Sequence, residues 1–97
     1  MEPDDVIVEV EPLNSTDSRV KARASALVEL GDPGAFQILG LMVVQGREGT
    51  LRVVYPTRRG KQDGQYFEVV RLFGEIHRVV NREILRAYTE AVQASRK

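Results

Sequence analysis

The sequence predicts an α+β fold: an antiparallel five-stranded β-meander sheet followed by a C-terminal amphipathic α-helix packed on it. In the first two-thirds of the chain, apolar and polar residues alternate with the period of two that is typical of strands. Turn-forming residues separate these segments, and the apolar period becomes helical in the last third. The 97 residues predict one domain that spans 1–97.

Five strands are predicted between about residues 5 and 70. The first contains Val6, Val8 and Val10, and a turn over residues 12–18 follows it. The segments 20–28, 36–44, 51–55 and 66–70 complete the set. Residues 57–64 are polar and basic, so they predict a loop between the fourth and fifth strands.

The helix is predicted over about residues 74–94, a segment without proline. Its apolar face consists of Phe73, Ile76, Val80, Ile84, Ala87 and Ala91, with Tyr88 beside them. Because a single-layer sheet leaves an apolar face open to water, we expect the helix to cover that face.

Composition argues against several kinds of site. The chain has no cysteine and one histidine, His77, so no disulfide, metal site or cofactor is predicted. No nucleophile or ligand set accompanies His77, so no catalytic residue or small-molecule substrate is predicted either. The N-terminus is acidic, and no apolar run approaches the roughly 20 residues that cross a bilayer. We therefore expect a cytoplasmic protein that does not bind membranes.

Charge is balanced overall but is unevenly distributed. Residues 1–45 carry eight acidic and three basic side chains, whereas residues 46–97 carry six acidic and eleven basic ones. Such a split is compatible with a basic face on the folded protein, and equally with a chance partition of charge along the chain.

One basic cluster, Arg58, Arg59 and Lys61, lies in the predicted loop. Guanidinium and ammonium groups at a loop tip are able to neutralise phosphates. The alternative is a solvated turn that keeps an exposed sheet edge from aggregating. Nearby aromatic residues at strand positions, Tyr55, Tyr66 and Phe67, are candidates for stacking on bases or for the core.

A second basic cluster forms a stripe on the predicted helix, opposite its apolar face. It consists of Arg78, Arg82 and Arg86, and Arg71 falls at a similar angle if the helix is extended backwards. The stripe has the spacing to follow a phosphate backbone. It is equally well explained as a solvent face in which glutamates such as Glu83 and Glu90 are the helical partners.

Six local motifs follow one another along nearly the whole chain. They are the segments 6–14, 19–25 and 36–46, then Pro56-Thr57-Arg58-Arg59, Asp63-Gly64-Gln65-Tyr66, and Ile84-Leu85 with Tyr88. Their order and spacing resemble the SpoVG family, the bacterial stage V sporulation proteins G that are also described as septation regulators. The resemblance implies DNA binding, RNA binding in some members, and a homodimer. It also implies that Arg58 and Arg59 belong to the family's basic element.

The leading hypothesis is a non-enzymatic nucleic-acid-binding regulator, with DNA and possibly RNA as partner and no cofactor. Its predicted binding residues are Arg58, Arg59, Lys61, Arg78, Arg82 and Arg86. The alternative is a dimeric protein–protein interaction module whose basic face meets an acidic protein. Both include a homodimer, because an open sheet leaves two unpaired edges and a chain of this length has a marginal core.

Overall fold

A four-stranded antiparallel sheet and one long helix form the two layers of the protein. The computed structural model describes residues 2–14, 19–62 and 64–95. After a short 3-10 turn at Pro3–Asp5, the main sheet contains β1 (Val6–Pro12), β2 (Val20–Glu29), β3 (Ala35–Gln45) and β4 (Leu51–Val54), paired in chain order. Helix α1 (Gly74–Ser95) follows, so the predicted α+β class and the extent of the helix are confirmed. The predicted turn at 12–18 lies partly outside the described residues.

The core lies between the helix and one face of the sheet. Alternate residues of β2, from Ala22 to Val28, are buried, and register places Val6 opposite Val28 and Val43 opposite Ala22. Val80 and Ile84 of α1 belong to the same cluster. The helix packs most closely against β1, the first edge strand of the sheet. This one-sided burial confirms that the helix covers the sheet.

The prediction of a single five-stranded meander is wrong at its end. Two further strands, β5 (Thr57–Arg59) and β6 (Tyr66–Glu68), pair only with each other in a separate two-stranded sheet. The predicted loop at 57–64 therefore contains a strand, and the predicted fifth strand does not join the main sheet. Asp63 lies outside the described residues.

A bulge in β3 and a proline explain why the main sheet stops at β4. Ala24 pairs with Leu41 and Ala26 with Ile38, so β3 holds one extra residue there. Gly40 adopts a φ of 78° in this bulge, a conformation that favours glycine. A Cβ on Gly40 would lie 3.7 Å from Cγ of Pro56. Because Pro56 has no N–H to continue the ladder, the chain leaves the sheet at this point.

The second face of the main sheet has no layer over it among the described residues. Ile7 is 51% exposed and Leu39 is 66% exposed, while Leu27, Met42 and Val54 are half-buried. The outer edges of β1 and β4 are likewise unpaired within the described part of the chain. In those same residues, no helix combines the length and the apolar character needed to cross a membrane.

Candidate nucleic-acid interface

The hairpin formed by β5 and β6, the basic hairpin, carries the first predicted cluster. Its opposed pairs are Thr57–Glu68, Arg58–Phe67 and Arg59–Tyr66, and all six residues are exposed. Backbone hydrogen bonds close it at both ends: the Val69 N–H donates to the Pro56 carbonyl at 3.0 Å, and Gly60 donates to Gln65 at 2.7 Å. The basic cluster is therefore mounted on a hydrogen-bonded ribbon.

Arg58 and Phe67 form a cation–π contact on one face of the basic hairpin. The Arg58 guanidinium carbon lies 5.6 Å from the ring centroid, within the range of this interaction. Gly60 makes the ring position possible, because a Cβ there would lie 2.9 Å from Phe67 Cε2 and 2.7 Å from Gln65 Oε1. A guanidinium over a ring keeps its in-plane N–H donors for phosphate.

Arg58 and Arg59 lie in β5, and Lys61 follows in the turn of the basic hairpin. These residues line a shallow pocket of about 440 Å³ with Gln62, Gln65 and Phe67. Directly opposed residues share a face of an antiparallel pair, so Arg59 lies on the face of Tyr66 and Arg58 on the face of Phe67. Each face of the ribbon therefore presents one arginine and one exposed aromatic ring.

The helical stripe is partly neutralised by a buried carboxylate. Arg86 Nη2 lies 2.8 Å from Glu83 Oε1, and Arg82 Nε lies 3.9 Å from Glu83 Oε2. Glu83 is 5% exposed, and both arginine side chains remain mostly exposed. Glu83 is thus confirmed as the helical partner of Arg86. Arg78 is exposed one turn before Arg82 on the same helix.

Arg71 and Phe73 do not occupy the helical positions that the sequence suggested. Both precede the first residue of α1, Gly74. Arg71 Nε lies 3.5 Å from Glu68 Oε2, and Phe73 is 75% exposed. The helical period does not continue before Gly74, because the chain crosses from the hairpin to the helix in an irregular conformation.

A partly buried hydrogen-bond chain joins the end of the sheet to the start of the helix. The Tyr55 hydroxyl donates to Asn81 Oδ1 at 2.7 Å, and Asn81 Nδ2 lies 3.1 Å from His77 Nε2. This contact holds the His77 ring against Asn81, one helical turn along α1. Burial raises the pKa of Tyr55 to about 12. Tyr55 is therefore a core residue and not a stacking platform.

Sequence reasoning did not single out Asn81. The available signal was its position four residues after His77, which places both side chains on one helical face. Tyr55 follows β4, far from Asn81 in the sequence, so helical spacing could not predict the hydrogen bond between them.

A cleft of about 420 Å³ opens at the base of the basic hairpin, between the end of β4, the segment after β6 and the start of α1. We call it the base cleft. The polar and aromatic side chains that line it are Arg52, Tyr55, Glu68, Arg71, Phe73 and His77. Sequence reasoning missed this cleft because its walls come from three separate segments.

Neither a metal centre nor a known relative guides the assignment of function. Within residues 2–14, 19–62 and 64–95, no group of three or more histidine, cysteine, aspartate or glutamate side chains is placed to hold a metal ion. Comparison with family models, curated proteins and solved structures gives no match.

Proposed function

We propose that the protein is a non-enzymatic, cytoplasmic nucleic-acid-binding regulator of the kind that its resemblance to the SpoVG family implies. The observation that supports this most is the basic hairpin, which displays Arg58, Arg59 and Lys61 on an exposed ribbon. A two-stranded ribbon fits the major groove of duplex DNA, and arginines reach phosphates and guanine edges from it. Arg78, Arg82 and Arg86 provide a second, weaker contact.

The double replacement Arg58→Ala plus Arg59→Ala is expected to weaken binding by about 1–3 kcal/mol. The parent's affinity should fall with salt at a log–log slope of about −0.9 per phosphate contacted, and the variant's slope should be shallower. Arg82→Ala should have a smaller effect, since Glu83 already offsets part of its charge. Gel shift and fluorescence anisotropy on mixed genomic fragments, with and without heparin, measure these quantities.

A matched control removes the same charge elsewhere. Arg19 and Arg47 are exposed, and the Arg19 carbonyl accepts from the N–H of Gln45, so both lie at the end of the sheet where β3 turns into β4. Arg19→Ala plus Arg47→Ala should leave affinity within about twofold. If both double variants lost the same binding affinity, the loss would come from the lower net charge and not from the position of Arg58 and Arg59. Absence of salt-sensitive binding by the parent would favour the acidic-protein partner instead.

We also propose that the protein is a homodimer. The unpaired edges of β1 and β4, and the open sheet face with Ile7 and Leu39, support this proposal. Light scattering at tens of micromolar should give about twice the chain mass of 10.9 kDa. A mass equal to one chain at that concentration would contradict it.

A further inference from the structure

We propose that the base cleft binds one unstacked nucleotide of a single strand, so that the protein prefers single-stranded to duplex nucleic acid. This inference deepens the proposed function and rests on it. The basic hairpin alone would serve either form of nucleic acid. The base cleft adds a compartment that a paired and stacked base is unable to enter.

The aromatic lip of the cleft is Phe73, which is 75% exposed. An aromatic ring left this open in a small domain offers a planar surface on which a base can stack, and every base has such a face. Behind it, Val70 and Leu72 give the cleft an apolar wall. Its volume of about 420 Å³ falls in the range of pockets that hold small organic ligands.

The polar groups of the cleft suit the rest of a nucleotide. Arg52 and Arg71 supply guanidinium groups for a phosphate, and Glu68 supplies a carboxylate able to accept from a sugar hydroxyl or a base amine. Arg71 is already positioned by Glu68 at 3.5 Å, with both side chains more than half exposed. His77 is held in its orientation by Asn81. The site thus combines stacking, anion binding and a fixed polar wall.

The cleft continues one face of the basic hairpin. Glu68 lines the cleft and pairs with Thr57, and Arg59 and Tyr66 form the pair two positions along the ribbon, on the same face. Residues two apart on a strand are separated by about 6–7 Å, so a strand lying along this face meets Arg59 and Tyr66 and then the cleft. Tyr66 is 63% exposed, which gives a second ring on the same path.

The test compares a labelled 12-nucleotide strand of mixed sequence, alone and annealed to its complement, at one ionic strength. The parent should bind the single strand at least fivefold more tightly. Phe73→Ala should remove most of that preference and leave duplex affinity within twofold, because a stacked base typically contributes about 1–3 kcal/mol, or roughly 5- to 150-fold. Phe73→Tyr should retain the preference. Leu30→Ala, which trims another exposed apolar side chain, should change neither affinity.

The outcomes separate this inference from the proposed function. Equal or tighter duplex binding by the parent, or equal losses on both ligands in Phe73→Ala, would overturn the single-strand preference while the basic hairpin remains the binding site. Binding of neither form would overturn both. A third arm titrates free mononucleotide. The free mononucleotide could saturate the parent but not Phe73→Ala, while the parent binds the single strand no more tightly than the duplex. That result would assign the cleft to free nucleotides and overturn the inference.

Discussion

Replacing Ile84 by alanine is expected to lower the free energy of unfolding by about 2–5 kcal/mol. Ile84 is fully buried in the cluster that joins α1 to the sheet. Its loss removes apolar burial and leaves a cavity that two layers of regular structure are poorly able to close. For a domain of this size the loss is a large part of the total stability. Urea denaturation followed by circular dichroism at one protein concentration measures it.

The matched control for this prediction is Leu30→Ala. Leu30 is 45% exposed and lies just after β2, so its removal should change stability by no more than about 0.5 kcal/mol. Similar losses in both variants would show that Ile84 is not central to the contact between the helix and the sheet. An unfolded Ile84→Ala chain would agree with the prediction, and Ile84→Val, expected to cost about 0.5–1.5 kcal/mol, would then supply the graded value.

Local periodicity was enough to predict the strands and the helix that have one buried face and one solvent-exposed face. The alternation in β1 and β2 and the helical spacing of Val80 and Ile84 correspond directly to burial. Periodicity failed where one residue changed the path of the chain. The bulge at Gly40 gives no periodic signal. Pro56 marks the end of the fourth predicted strand, but its presence does not show that the next strand leaves the main sheet. This is why the hairpin was predicted partly as loop and partly as a strand of the meander.

The candidate site divides in the same way. Arg58, Arg59 and Lys61 are close in sequence, so their place on one short segment could be predicted without knowledge of the hairpin. The base cleft could not be predicted in this way, because Arg52, Arg71 and His77 converge on it from three separate segments. Charge spacing on the helix predicted the stripe but not the burial of Glu83, which depends on how the helix rotates against the sheet.

Raising the pH above about 10 is expected to destabilise the protein through Tyr55. Burial raises the pKa of Tyr55 from 10.0 to about 12. The unfolded chain therefore releases this proton at a lower pH than the folded protein does. The stabilisation is fully present below pH 10 and is lost as pH rises towards 12, at up to about 1.4 kcal/mol per pH unit. The total loss approaches roughly 2 kcal/mol at pH 12, because the folded protein holds this proton to a pH about two units higher than the unfolded chain does.

Tyr55→Phe isolates this effect. At pH 8 the variant should be less stable than the parent by about 1 kcal/mol, because the hydrogen bond from Tyr55 to Asn81 is lost. Between pH 10 and 12 the parent should lose stability faster than the variant, so the difference shrinks and then reverses. Urea unfolding at pH 8, 10 and 11, read by circular dichroism, follows the two curves. Parallel curves across this range would mean that Tyr55 ionises equally readily in the folded and unfolded chains, contrary to its burial beside Asn81 at the end of the sheet.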